Sequence, residues 1–337
     1  MRRVKASGVL RRGIIAVAGV SLLGMAGQSL ADDDGYAEYR DRFEPLPALP
    51  PIPSDNSLTK EKIELGKMLF FEPRISSSGV ISCATCHNPA LGWADRIPQA
   101  VGHQGQVGKR NTPTVLNSGF LDSQFWDGRE DDLEGQALGP IEDAIEMAMD
   151  LDEAIEQLES FEAYTERFDE AFPGQDDPVN EENVAKALAS FQRTLNTPNS
   201  PFDRYLRGDT EAMSEQQKRG MAAFVDNGCI ACHSGPALTD GQFHRFELPD
   251  GPTDEGRYVI TGDESDKYAF RTPGLRNVGV TYPYFHNGMV DDLGEAINIM
   301  AEQMLGSELD DDTVEDIEQF LHAMTGEMPD ISFPALP

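Results

Sequence analysis

All four cysteines of this 337-residue chain lie in two copies of one pattern, Cys83-Ala84-Thr85-Cys86-His87 and Cys229-Ile230-Ala231-Cys232-His233. In CxxCH the two thiols add to the vinyl groups of a haem and the adjacent histidine binds its iron from one face. Each copy therefore needs a fold that can wrap a flat, largely apolar macrocycle. Four cysteines in an exported chain would ordinarily suggest two disulfides, but the short paired spacing opposes that reading. Zinc would want further Cys or His at finger-like spacing, which the sequence does not offer. The chain is read as carrying two covalently bound c-type haems.

The N-terminus fits that chemistry. Arg2, Arg3, Lys5, Arg11 and Arg12 precede the apolar run 13–27 and the small-residue site Ser29-Leu30-Ala31, the layout of a secretory signal peptide over residues 1–31, cleaved near Ala31. The run is about 15 residues, shorter than the roughly 20 that span a bilayer, and Asp32-Asp33-Asp34 follow, so no membrane span is expected after processing. Arg11-Arg12 also permits a twin-arginine reading. Losing five basic and no acidic residues takes the formal charge from −32 to −37 over the remaining 306 residues. Such a surface excludes nucleic acid and anionic membrane as partners. It either steers in a basic electron donor or reflects adaptation to salt.

An internal repeat organises the rest. Thr112-Pro113 and Asn117 recur as Thr272-Pro273 and Asn277. Phe125-Trp126-Asp127-Gly128 recurs as Phe285-His286-Asn287-Gly288, again 160 residues later. A helix precedes each haem motif, with Gly66 and Phe70 in one and Gly220 and Phe224 in the other. The chain reads as a duplicated one-haem unit, mainly α because its longest periodic segments repeat every 3.6 residues. Ser214-Glu215-Gln216-Gln217 is a capping box. A core helix over 181–195 carries Val184, Leu188, Phe191 and Leu195 on one face, and another over 313–325 carries Ile317, Phe320, Leu321 and Met324. The Pro-rich run 45–53 is an extended strap. With the boundary in 196–201, the expected organisation is an N-terminal domain over 32–197, a C-terminal domain over 198–327 and a tail over 328–337.

Beyond His87 and His233, four histidines remain. His103 lies among Gly102, Gly105 and Gly108, a loop mobile enough to place a ligand on the first iron and to remove it, or simply solvated. Leu293, Ile297, Met300 and Met304 fall on one helical face, either a core stripe or the source of a methionine ligand for the second iron. Spacing does not choose between Met289, Met300 and Met304. His244 and His322 read as surface residues.

The chain resembles bacterial di-haem cytochrome c peroxidases from about residue 58 to residue 326. The matching stretches are Gly66-Lys67-Met68-Leu69-Phe70-Phe71, Ser82-Cys83-Ala84-Thr85-Cys86-His87-Asn88, Arg110-Asn111-Thr112-Pro113-Thr114, Gln124-Phe125-Trp126-Asp127-Gly128-Arg129 and Pro283-Tyr284-Phe285-His286-Asn287-Gly288. The resemblance implies two cytochrome c-like domains with the haem interface between them. It implies that His103 is the displaceable second ligand of the N-terminal, low-potential haem, where peroxide reacts, and that Met300 is the second ligand of the C-terminal, high-potential haem. Methylamine dehydrogenase maturation enzymes, a related branch, have a tyrosine in place of that methionine.

The resemblance further implies that Glu146 is the catalytic acid and base, Gln136 the distal glutamine and Trp126 the tryptophan between the haems. A carboxylate above the haem can take a proton from one peroxide oxygen and return it to the other. Without the family, Glu146 among Glu142, Asp143 and Asp150 reads as a solvated face, and Trp126 as packing. A calcium ion held by Asn111 and the backbone oxygens of Thr281 and Pro283 is also implied, as is a homodimer. The expected activity is periplasmic reduction of hydrogen peroxide with electrons from a small c-type cytochrome or cupredoxin. The rival readings are a di-haem electron carrier and a maturation-type oxidase acting on a protein or organic substrate.

Overall fold

The computed structural model describes residues 35–248 and 254–337, so the expected signal peptide lies outside the described residues. The chain is mainly helical. In order come α1 (Ala37–Arg40), α2 (Lys60–Phe70), α3 (Cys83–Cys86), α4 (Leu133–Glu142), α5 (Leu151–Glu159), α6 (Glu162–Ala171) and α7 (Glu181–Gln192). They are followed by α8 (Pro201–Leu206), α9 (Glu215–Asp226), α10 (Tyr258–Thr261), α11 (Leu293–Met300) and α12 (Asp311–His322). Two short antiparallel strands, β1 (Phe243–Arg245) and β2 (Ala269–Arg271), pair His244 with Phe270.

Polar caps set the helix starts, because the first N–H groups of a helix have no partner within it. Asn180 caps α7 through the Asn183 N–H at 2.9 Å, and Asp310 caps α12 through the Thr313 N–H at 2.8 Å. The Asp310 cap starts α12 two residues before the 313 expected from periodicity. The capping box forms at α9, where Ser214 and Gln217 exchange backbone-to-side-chain bonds of 2.9 and 3.2 Å. The helix expected over 181–195 ends at Gln192, and Leu195 is buried from the loop beyond, where its carbonyl accepts the Asn117 N–H.

Two apolar cores form. The first gathers Leu65, Leu69, Phe70, Trp93, Phe168, Leu188 and Phe191; the second gathers Phe202, Phe224, Ile317, Phe320 and Met324. One device builds both. A Cβ on Gly66 of α2 would stand 1.8 Å from the Ala187 carbonyl oxygen of α7, and a Cβ on Gly220 of α9 would stand 1.8 Å from that of Asp316 in α12. Only glycine lets these backbones touch. The contact presses Phe191 against Phe70 at 5.4 Å and Phe320 against Phe224 at 5.5 Å, and these phenylalanines carry the two haem-motif histidines.

The chain ends cross between the cores. Phe43 joins the second core, while Ile331 packs on the first and Phe333 meets Phe71 edge-on at 5.3 Å. The strap over 45–53 has no helix or strand, and its Leu46 is buried, with its N–H on Asp203 at 2.8 Å. Asp203 also pairs with Arg276 at 2.9 Å in the second core. Where the repeats join, Asn117 and Asn277 both donate to the Thr197 hydroxyl at 2.8 Å.

Replacing an interior helical glycine with alanine usually stabilises by about 1 kcal/mol. Gly220→Ala should instead destabilise by about 1–3 kcal/mol, as overpacking does, read as a lower denaturant midpoint. An unchanged or higher midpoint would contradict the close crossing of α9 and α12.

Candidate functional site

Each CxxCH occupies a single tight turn. The Ser82 N–H donates to Thr85 Oγ1 at 3.0 Å, and the His87 N–H donates to the Cys83 carbonyl at 2.8 Å. The second turn repeats this with His233 N–H on the Cys229 carbonyl at 3.0 Å. Each histidine ring lies 6.4 Å from the phenylalanine of the preceding helix, His87 from Phe70 and His233 from Phe224. His233 Nδ1 is 3.2 Å from the Leu238 carbonyl, which directs Nε2 away from that carbonyl. Burial holds both imidazoles below their usual pKa, so the rings are neutral and able to bind metal.

A c-type haem fits these residues. Burial pushes the Cys83 and Cys86 thiols up to about 12 and Cys229 up to about 11, so they stay neutral and are poor metal thiolates. Beside the second motif lies a cavity of about 1240 Å³, part of it open to solvent, lined by Cys229, Cys232, His233, Met300, Met304 and mainly apolar side chains. Met289 is 61% exposed and lies outside it. A π-helical turn, Ala301–Leu305, follows α11, and Met300 and Met304 both line the cavity. His244, expected at the surface, keeps a side chain 37% exposed while it borders the cavity and bonds Asp240 at 2.8 Å. Cys232, Asp240 and His244 come close enough to share an ion, but the cysteine belongs to the haem motif.

The glycines around His103 shape a hairpin. Val101 pairs with Val107, Gly102 N–H donates to the Gln106 carbonyl at 2.9 Å, and Gln104 and Gly105 turn the chain with φ of 55° and 77°. This hairpin is pinned to the segment after α4. His103 N–H reaches the Ile145 and Glu146 carbonyls at 2.6 and 2.9 Å, and Gln106 Nε2 reaches that of Ala144 at 3.0 Å. A Cβ on Gly102 would stand 2.1 Å from the Ile145 oxygen, so glycine here serves close approach.

His103 Nδ1 is buried without a protein partner. Burial and the neighbouring Asp143 push the Glu146 carboxyl above its usual pKa, against the pull of Arg129. Burial is the main cause of the raised Cys83 and Cys86 thiols, and the Glu146 charge adds to it, so Glu146 lies within electrostatic reach of the first haem motif. Gln136 is half-buried on α4.

The two tips of the duplicated turn meet. Phe125 and Phe285 share positive φ, 65° and 67°, and Trp126 and His286 stand edge to face at 6.4 Å. Trp126 Nε1 donates to the Asn111 carbonyl at 3.0 Å, and the Asn111 N–H donates to that of His286 at 2.7 Å. The Asn111 amide nitrogen holds the Ile97 carbonyl at 3.0 Å, while Arg96 holds Val280 and stacks on Tyr282, close to Thr281 and Pro283. Arg110 bridges Asp127 at 2.5 Å and Asp254 at 2.6 Å. Motif reading missed this clamp, since Asp254 is 144 residues from its partner and in no recurring pattern.

A family model described as di-haem cytochrome c peroxidase matches residues 60–211. The chain is 44% identical to a cytochrome c551 peroxidase of Pseudomonas aeruginosa, over 88% of this chain and 87% of the relative. It is 40% identical to the cytochrome c551 peroxidase of Nitrosomonas europaea, over 94% of each. With a methylamine utilization protein MauG of Methylorubrum extorquens it shares 39% identity, over 91% of this chain and 90% of that one. Among solved structures, a MauG-like protein associated with microbial copper homeostasis superposes with a TM-score of 0.75 at 27% identity, over 84% and 94% of the two chains.

Gly102→Ala should push the hairpin off the Glu146 segment. In the oxidised haem-bearing protein, the high-spin fraction seen by electron paramagnetic resonance should then rise. An unaltered low-spin signal would show that the hairpin does not set the His103 position.

Proposed function

The chain belongs to the di-haem cytochrome c peroxidase family, and on that premise we propose how its residues divide the reduction of hydrogen peroxide. It is a cytochrome c peroxidase, which takes electrons from a small redox protein and reduces peroxide to water. Bound haem supplies one-electron redox chemistry at iron, which side chains cannot provide.

Cys83, Cys86 and His87 hold the first haem, and Cys229, Cys232 and His233 the second. Met300 and His233 line the same cavity, and both would ligate the second haem. Met/His ligation raises the potential, so the second half is where the donor delivers electrons. His103 would be the exchangeable ligand of the first haem, and its hairpin would govern when that site is open to peroxide. Glu146, half-buried and within electrostatic reach of the same motif, would take the proton from one peroxide oxygen and return it to the departing one, which leaves as water. Gln136 orients the peroxide. Trp126, edge-on to His286 at the boundary, carries electrons between the halves.

The observation that carries this reading is the bonding of the His103 hairpin to the backbone of Glu146, which joins the group that must leave to the group that must act. A carboxyl raised toward the working pH is also better matched to proton transfer.

Further readings rest on the resemblance and the sequence. A calcium ion binds Asn111 and the backbone oxygens of Thr281 and Pro283, whose loops meet at the boundary between the repeats. The haem domains run over 32–197 and 198–327, with Tyr36, Tyr39 and Phe43 packed on the second and Ile331 on the first. The signal over 1–31 directs export to the periplasm, and the protein works as a homodimer. Among the described residues no helix is long and apolar enough to cross a membrane.

Glu146→Gln should lower kcat by about 10²–10⁴-fold, the usual worth of a positioned acid and base, with both haems still bound. Because Glu146 must start as a carboxylate, parent activity should fall as pH drops through its raised pKa. The Gln variant should lack that acid limb. A variant as active as the parent would favour the electron-carrier reading.

His103→Gly should reduce peroxide without prior reduction of the second haem. A continued need for the reductant would show that His103 is not the gate.

A further inference from the structure

Three arginines among the described residues are buried: Arg193, Arg271 and Arg276. Arg193 holds Glu134 through two bonds of 2.6 and 2.7 Å, and Arg276 pairs with Asp203 at 2.9 Å. Arg271, only 6% exposed, has no ion pair with any described residue. Its Nε reaches the Phe125 carbonyl at 3.3 Å and its Nη1 the Thr272 carbonyl at 3.2 Å, while no described acceptor meets Nη2. Burial pulls its pKa down to about 10, opposed only by the more distant Asp122. A buried guanidinium without an anion is costly, and proteins rarely keep one unless a ligand completes it.

Arg271 lines the cavity that contains His233 and Met300. That cavity is otherwise mostly apolar, so the missing anion must come with the occupant. A haem carries two peripheral carboxylates, the chemistry a guanidinium fork recognises. The backbone N–H of Arg271 donates to the Trp126 carbonyl at 2.9 Å, and Trp126 lines the same cavity. One residue thus spans from the second cavity to the turn that carries Trp126.

We infer that Arg271 is the counter-charge for a carboxylate of the second haem, and that its bonds to Phe125 and Trp126 tie that carboxylate to the turn between the haems. Arg271 is a positioning residue, acting on the redox poise of the second haem and on the seating of Trp126. The inference rests on the proposed function only in placing a haem in this cavity.

The test uses the purified protein with both haems bound. A cation beside the carboxylate favours the reduced haem, so Arg271→Gln should make the second haem harder to reduce. We expect about a tenfold shift in its reduction equilibrium, about 59 mV for one electron. Arg271→Lys keeps the charge and should recover most of the shift. A resonance Raman band of the carboxylate-bearing side chains should also move between the parent and the Lys variant, which gives a readout even if the Gln variant does not fold. A potential unmoved by Arg271→Gln, with only a lower unfolding midpoint, would reduce Arg271 to packing, as would an identical band in parent and Lys variant. A haem count below two would overturn the underlying reading as well, whereas two haems with an unmoved potential overturns this inference alone.

Discussion

The buried hydroxyl of Thr197 accepts the side-chain amides of Asn117 and Asn277, each at 2.8 Å. The two asparagines are repeat partners, so one atom lies where the duplicated halves meet. Around it the bonds continue in pairs: Asn117 accepts the Thr197 N–H at 2.9 Å and Asn277 that of Gly326 at 3.1 Å. A Cβ on Gly326 would stand 1.8 Å from the Thr197 carbonyl oxygen, which makes the join too close for any side chain there. A buried donor left unpaired costs about 1–3 kcal/mol, so this node resists small shifts of one half against the other. An electron relay between two fixed haems needs that rigidity.

From the node, the same geometry repeats outward to the chemistry. Close glycine crossings set the phenylalanines, the phenylalanines back the histidines, and tight turns set the cysteines. The duplication stops short of the reactive groups. Among the described residues the first half carries the hairpin of His103 and the carboxylate of Glu146, and the second carries the cavity lined by Met300 and Arg271. One scaffold used twice thereby carries two different sets of side chains beside its two haem motifs.

Much of this was legible in the chain. Paired cysteines reveal haem attachment because covalent chemistry tolerates little variation in spacing, and the capping box at Ser214 is a local interaction. The equivalence of α7 and α12 was hidden, although Phe191 and Phe320 correspond, because their offset of 129 residues differs from the 160 that relates Thr112 to Thr272 and Phe125 to Phe285. Loops of unequal length broke the register. The anchoring of the His103 hairpin was hidden, because its glycines allow a close approach to Ile145 that only the tertiary structure shows. Arg271 and the Arg110 clamp were missed for a similar reason, since a missing or distant partner leaves no trace in local sequence.

The central claim is that peroxide takes its electrons from a protein donor through this chain. The most direct measurement is the stoichiometry of that transfer: the protein with both haems, a reduced small c-type cytochrome in excess, and hydrogen peroxide in measured amounts. The account predicts two donor molecules oxidised for each peroxide consumed, with no turnover when the chain or peroxide is left out. Donor oxidation that does not depend on peroxide, or none with both haems in place, would contradict it.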